Sequence, residues 1–154
     1  MEHITQEQLE EKAAALEVLT RFLPYTELKS LITGAVGEEA DYYRELIVET
    51  AGKIKAMPVL YEQEEAGLEA LVHLHYFYGG SNWYITEKDP GQPGETNPAQ
   101  YRCFGYAQLE GFEGDEELGY ISIVELVSLG AELDLYWEPK TLREVKEQCE
   151  SKNL

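Results

Sequence analysis

The sequence is poor in basic residues. Its 154 residues include twelve Lys and Arg against thirty Asp and Glu, which gives a formal net charge of −18. Contacts to the phosphates of a nucleic acid come mainly from Lys and Arg, so the composition excludes direct nucleic-acid binding as an expected function. Anionic membrane surfaces attract basic segments, and we expect them to repel this chain.

Long apolar runs and cysteines are also scarce. The most apolar stretches, such as 70–78, are far shorter than the roughly twenty residues that a membrane helix needs. Residues 1–3 contain an acid and lead into a polar segment, unlike a secretory signal peptide. Two cysteines, Cys103 and Cys149, without a CxxC motif predict reduced thiols rather than a disulfide framework. We therefore expect a cytoplasmic protein.

The apolar residues change their spacing at about residue 57. In residues 1–57 they recur every three or four positions, which is typical of amphipathic helices. They include Leu9, Ala13, Leu16, Leu19 and Leu23. Residues 58–138 instead contain short segments rich in aromatic and β-branched residues, separated by turns. We predict an α+β fold, with about three helices over 1–57 and a mostly antiparallel sheet with short helices over 58–154, forming one compact unit.

Five strands are predicted in the second section. They cover residues 71–78, 82–87, 101–109, 118–121 and 132–137. The first two are joined by the turn 79–81 and form a hairpin, whereas 90–98, with three prolines, forms a loop. Helix starts are marked by the capping residues Thr5, Ser122 and Thr141, whose hydroxyls accept hydrogen bonds from free backbone N–H groups.

Negative charge is concentrated in the sheet section. Residues 58–138 hold sixteen acids and two bases, Lys88 and Arg102. Acids without bases nearby repel one another, which lowers stability unless the charge has a function. Two clusters stand out. The first acidic cluster is Glu62, Glu64, Glu65 and Glu69, and the second is Glu110, Glu113, Asp115, Glu116 and Glu117.

The acidic clusters have two interpretations. One is a solvated surface that keeps the protein soluble. The other is imitation of a phosphate backbone: duplex DNA carries one charge per about 1.7 Å of axis, so eighteen charges match about 30 Å of duplex, comparable with the diameter of a compact domain of this size. The second interpretation predicts a partner with a basic nucleic-acid-binding groove. Its predicted contact residues are Glu62, Glu64, Glu65, Glu110, Glu113, Asp115, Glu116 and Glu117.

Signatures of catalysis are missing, since the sequence contains no GxSxG, GxGxxG, P-loop or HExxH motif. His73 and His75 would project from one face of a strand and, with Cys103, supply three zinc ligands. We favour the alternative, in which they are two half-exposed histidines opposite an apolar strand face, because no second HxH or CxxC motif supports a metal site. Cys103 and His73 as a nucleophile and its base are likewise unconstrained by spacing. We predict a protein without enzyme activity, metal or cofactor.

Four segments of the sheet section carry a resemblance to a known family. In chain order they are Ser81–Glu87 (SNWYITE), 104–106 (FGY), 117–126 (ELGYISIVEL) and 134–142 (DLYWEPKTL). Over residues 58–145 the chain resembles a family of small domains of unknown function that is common on plasmids, phages and integrated elements. The resemblance implies a shared fold and an origin on mobile genetic elements. It implies no activity and no catalytic residue.

Small, very acidic proteins of that origin often inhibit host defence by occupying the nucleic-acid site of a nuclease. In size and charge the chain is similar to anti-CRISPR proteins directed against type I surveillance complexes. From this origin and from the charge we therefore expect an acidic DNA mimic in the host cytoplasm, which binds a CRISPR effector through its basic groove. The alternative is a non-catalytic interaction module of plasmid or phage maintenance, whose N-terminal helices dock a partner or a second copy.

Overall fold

A computed structural model describes residues 4–112, 114 and 116–152 of the chain. The fold is α+β, as predicted, with N-terminal helices that precede an antiparallel sheet. The helices are α1 (Gln6–Leu19), α2 (Tyr25–Gly34), α3 (Ala40–Ala56), α4 (Ile123–Leu129) and α5 (Leu142–Lys152), with a 3-10 helix at Glu64–Glu69. The strands are β1 (Leu71–Val72), β2 (Leu74–Tyr78), β3 (Ser81–Glu87), β4 (Cys103–Gln108), β5 (Glu117–Ile121), β6 (Glu132–Leu133) and β7 (Lys140–Thr141). Of the described helices, none combines the length and the apolar character that a membrane span requires.

Side-chain caps begin the helices where the sequence predicts them. At α1, Thr5 Oγ1 accepts the Gln8 N–H at 3.1 Å, and Gln8 Oε1 accepts the Thr5 N–H at 3.0 Å. Thr141 and Glu144 form the same reciprocal pair at α5. The Ser122 hydroxyl accepts the Glu125 N–H at α4. Each cap satisfies backbone donors that the first turn of a helix leaves free.

The main sheet has the strand order β5-β4-β3-β2-β6, and all of its pairs are antiparallel. The predicted hairpin is confirmed, because β2 and β3 pair directly across their turn. Strands β3 and β4 approach so closely that a Cβ atom on Gly105 would lie 2.0 Å from the carbonyl oxygen of Tyr84. Only glycine therefore fits at the centre of β4. Strand β5 forms one outer edge of the sheet.

Two of the predicted strands are wrong in extent. The strand predicted over 71–78 is interrupted at His73. Before this residue β1 pairs with β7, and after it β2 pairs with β3. The strand predicted over 132–137 is reduced to the two residues of β6. It ends because Asp134 starts a turn, in which its Oδ1 accepts the Tyr136 N–H at 3.0 Å. Asp competes with the ladder in this way because its side chain reaches the backbone two residues on.

Apolar clusters cover both faces of the sheet, and they differ in size. The larger cluster joins the sheet to the helical section, so both predicted sections contribute to one core. It contains Leu74, Tyr76, Ile85 and Cys103 from the strands, Leu19, Leu31, Ile47 and Ile54 from α1–α3, and Ile123 and Leu126 from α4. The smaller cluster lies under α5 on the opposite face. It contains Ala70, Val72, Tyr84, Tyr106, Leu142, Val145 and Cys149.

Candidate functional site

The predicted acidic contact residues lie at the surface wherever they are described. Glu62, Glu64 and Glu65 are exposed in the segment between α3 and β1. Glu110 and Glu117 are exposed at either end of the β4–β5 loop, and Glu116 is half-buried. The two remaining contact residues, Glu113 and Asp115, lie outside the described residues.

Two tyrosines connect the segment of the first acidic cluster to β5. Tyr61 directly precedes Glu62, and its hydroxyl lies 2.9 Å from that of Tyr120 on β5. The hydrogen bond with Tyr61 and the guanidinium of Arg102 lower the pKa of Tyr120, while the same bond raises the pKa of Tyr61. The contact places the first cluster beside the strand that follows the second.

Two of the predicted contact residues also support the local backbone. Glu62 Oε1 accepts the Val59 N–H at 2.7 Å, which closes the turn after α3. Glu110 Oε2 accepts the Gly80 N–H at 3.3 Å and so connects the β4–β5 loop to the β2–β3 turn. Both remain exposed, so their charges still contribute to the surface potential.

The two bases of the sheet section do not neutralise these acids. Lys88 Nζ donates to the carbonyls of Ile54 at 2.7 Å and Lys55 at 3.0 Å, at the C-terminal end of α3, a position that suits a cation. Arg102 lies over the ring of Tyr120, with Cζ 4.3 Å from the ring centroid. Within the described residues neither forms an ion pair with a carboxylate. Glu69 of the first cluster pairs instead with Arg143 of α5, at 2.8 Å between Nε and Oε1. Glu62, Glu64, Glu65, Glu110 and Glu117 form no ion pair within the described residues, so their charges are available to an external cation.

A pocket of about 230 Å³ lies between the segment of the first acidic cluster and β5. We call it the β5 pocket. Its apolar walls are Tyr61, Gly67, Ala70, Phe104, Leu118, Tyr120 and Leu142, and its polar residues are Gln63, Glu64, Thr86 and Glu87. Sequence reasoning identified only Glu64 among them, because the lining comes from the 3-10 helix, β3, β4, β5 and α5, and no sequence pattern predicts that these segments meet.

Glu87 supplies a buried carboxylate to the β5 pocket. It is 3% exposed, and its Oε2 accepts the Gln63 N–H at 2.6 Å. The Gln63 side chain is fixed in turn by Leu71 and by the carbonyl of Thr86. Glu87 Oε1 has no hydrogen-bond partner among the described residues. Because no fully buried side-chain oxygen or nitrogen of that part of the chain lacks a partner, Oε1 must reach solvent, and Glu87 does so at the pocket.

Tyr61 lies at the pocket in an unusual backbone conformation. Its φ is 76°, in the left-handed region that bulky residues other than glycine rarely occupy. Such conformations persist where the surrounding structure enforces them, and they concentrate at binding sites. The ring of Tyr61 is held at the pocket by its bond to Tyr120.

The structure separates His75 and Cys103, two of the three zinc ligands that the sequence offered. His75 stacks on Tyr84 at 4.8 Å in the cluster under α5, whereas Cys103 belongs to the cluster on the opposite face. His75 Nε2 lies 2.8 Å from Asn82 Oδ1 and Nδ1 3.4 Å from Asp134 Oδ2. No group of three or more His, Cys, Asp or Glu in the described chain is placed to hold a metal ion.

Cys103 is also unsuited to act as a nucleophile. Burial raises the pKa of its thiol to about 12, and Sγ donates to Gln100 Oε1 at 3.3 Å. The nucleophilic form of cysteine is the thiolate, which this environment disfavours. The environment of Cys103 therefore gives no support to the nucleophile that the sequence left open.

Comparisons with known proteins add no relative. The chain matches no protein-family model, no curated protein and no solved structure. The resemblance of residues 58–145 to a family of small domains that is common on mobile genetic elements stays a prediction.

Proposed function

We propose that the protein is a non-enzymatic inhibitor from a mobile genetic element, which binds a basic nucleic-acid-binding surface of a host defence complex in the cytoplasm. A type I CRISPR effector is the partner that the charge, the size and the family resemblance favour. The observation that carries the proposal is the excess of negative charge in residues 58–138. Sixteen acids share two bases, and those bases contact α3 and Tyr120 instead of carboxylates.

The physical basis is competition between two polyanions for one groove. A basic groove that holds DNA attracts any negatively charged surface, and such steering accelerates association at low salt. The Tyr61–Tyr120 contact places the segment of the first acidic cluster beside β5, the strand that follows the second cluster in the chain. A protein bound through this surface would exclude DNA without any chemical step.

The proposal is tested with a purified type I surveillance complex and two variants of matched charge. The first replaces Glu64, Glu65, Glu110 and Glu117 with Gln, and the second replaces Glu7, Glu10, Glu11 and Glu17 on α1 with Gln. Both sets are exposed, and both change the net charge equally. We expect the first variant to bind the complex about tenfold or more weakly, and the second to stay within about threefold of wild type.

Equal losses in both variants would mean that net charge alone matters, and that the clusters beside β5 are not the contact surface. Full binding by both variants, or no binding by wild type across a range of low salt concentrations, would overturn the proposal. Circular dichroism of each variant controls for folding.

The alternative function is a protein-interaction module that docks through its helices. It is favoured by Tyr25 and Ile32, which are 74% and 44% exposed and lie seven residues apart on one face of α2. The inner faces of α1–α3 are already used in the core, so deleting 1–57 would unfold the sheet. Replacing Tyr25 and Ile32 with Ser is the sharper test: loss of partner binding or of self-association there, with the acidic variants unaffected, would establish this alternative.

A further inference from the structure

We infer that the β5 pocket receives an arginine side chain of the protein partner. The inference rests on the proposed function, because it names the group on the basic partner that the acidic surface recognises. It is carried by three features of the pocket: its aromatic walls, its buried carboxylate, and the absence of any base from its described lining.

The walls are suited to a planar cation. Tyr61, Phe104 and Tyr120 line the pocket, and the last two rings meet edge to face, with centroids 5.7 Å apart and planes at 82°. Aromatic faces attract guanidinium groups through the ring quadrupole. The chain itself shows this at Tyr120, where Arg102 stacks at 4.3 Å from the ring centroid without forming part of the pocket lining.

The carboxylate of Glu87 provides the complementary charge. Its Oε2 is occupied by the Gln63 N–H, and its Oε1 has no partner in the described residues, although the residue is 3% exposed. A buried charge is stabilised by an ion-pair partner, and a guanidinium that enters the pocket would supply one. Glu64, which also lines the pocket, adds a second negative charge.

The size of the pocket indicates a side chain rather than a small-molecule ligand. Its volume of about 230 Å³ is below the range of roughly 300–1,000 Å³ that is typical of small-molecule sites. Arginine is favoured over lysine because its guanidinium is planar, stacks on aromatic rings and is more weakly hydrated. The left-handed backbone of Tyr61 is consistent with a binding site, where strained residues concentrate.

The direct test is an NMR titration of the whole protein with N-acetyl-arginine methylamide. We expect saturable shifts of amide signals around the pocket, with a Kd on the order of 1 mM for so small a ligand. The citrulline analogue has nearly the same shape and no charge, so it should bind about tenfold or more weakly. The lysine analogue should also bind more weakly. Equal binding of citrulline or lysine would overturn the assignment to arginine.

Two variants localise the site, each with a matched control. Glu87→Gln keeps an oxygen that can accept the Gln63 N–H but removes the charge, and Glu125→Gln makes the same change on α4. Tyr61→Ala removes an exposed ring from the pocket, and Tyr78→Ala removes an exposed ring from β2, outside the pocket. We expect each pocket variant to weaken arginine binding about tenfold and each control to leave it unchanged. Because Glu87 is buried, Tyr61→Ala keeps the test decisive if Glu87→Gln does not fold.

The experiments distinguish failure of the arginine-site assignment from failure of the proposed function. The assignment of the β5 pocket as an arginine site would be overturned if Tyr61→Ala bound arginine as wild type does. It would also be overturned if the amide signals shifted over the whole acidic surface. If the variants abolish arginine binding but leave binding of the surveillance complex intact, the pocket is not where the partner inserts an arginine. If arginine binds as expected and no complex is bound, the proposed function fails while the pocket stands.

Discussion

The two faces of the sheet share the same strands and differ in how completely helices cover them. On one face, α1–α4 cover the strands, and residues such as Ile85 and Ile123 are fully buried. On the other face α5 covers only part of the sheet, and beside it Leu118 and Tyr120 remain 46% and 53% exposed. The first face accounts for stability. The second leaves apolar surface at the centre of an acidic region, an arrangement typical of interaction sites.

Each face also has a buried or half-buried carboxylate that forms no ion pair with a described residue. On the helix-covered face, Glu27 Oε1 accepts the Leu133 N–H at 2.8 Å, and Glu132 and Asp134 surround it with further negative charge. On the open face, Glu87 reaches solvent through the pocket. The comparison suggests that Glu27 has a structural role, because its carboxyl binds the edge strand β6, whereas Glu87 is accessible to a ligand.

The largest effects on the free energy of unfolding are expected when a buried leucine on either face is truncated to alanine. Leu74 and Leu142 are both buried, at 4% and 3% exposure, but Leu142 lines the open pocket. We expect Leu74→Ala to lower the free energy of unfolding by about 4 kcal/mol and Leu142→Ala by about 2 kcal/mol, because a cavity next to an open pocket costs less. Urea unfolding measures both, and equal losses would contradict the difference between the faces.

Glu27 predicts an intermediate effect that depends on pH. Burial raises its pKa from 4.5 to about 7, so the folded state keeps a proton that the unfolded state releases between these values. The resulting stability is complete below pH 4.5 and is lost as pH rises through 7. Since the group is partly exposed, we expect a loss of about 1–2 kcal/mol across this window.

The Glu27→Gln variant isolates this contribution. Gln keeps an acceptor for the Leu133 N–H and cannot ionise, so the variant should lose less stability than wild type between about pH 4.5 and 8. The other carboxylates titrate equally in both proteins, and the difference between the two pH profiles reports Glu27 alone. Parallel profiles of stability against pH would show that the pKa of Glu27 is not raised in the folded state.

The smallest effect on stability is expected at Tyr61. Its left-handed backbone suits glycine better than tyrosine, so Tyr61→Gly should leave thermal stability unchanged or raise it slightly. The same change should weaken binding of the arginine probe, since it removes one wall of the pocket. A clear fall in the melting temperature would show that Tyr61 supports the fold and not a binding site.

Local signals in the sequence predicted the fold class and most of its elements. The capping pairs Thr5 with Gln8 and Thr141 with Glu144 lie where the structure has them, because capping depends on residues three positions apart. The break at His73 was not predictable in this way. It depends on the pairing of β1 with β7, whose residues are about seventy positions apart.

The candidate site was predictable only in its charge. Composition identifies Glu64 and its neighbours as exposed acids, since nothing in the chain can pair with so many of them. Glu87 was missed because a single acid at the end of a strand gives no sign of burial. Tyr61 was missed because its hydrogen bond to Tyr120 and its backbone conformation arise from tertiary packing.

The most direct test of the central claim is a competition experiment between the protein and DNA. Labelled target DNA is bound to a type I surveillance complex, and the protein is added while fluorescence anisotropy reports the bound DNA. We predict that the protein displaces the DNA, and that its affinity falls steeply between about 50 and 200 mM salt, as expected for a polyanion in a basic groove. A ternary complex in which the DNA stays bound, or an affinity that does not depend on salt, would contradict the account.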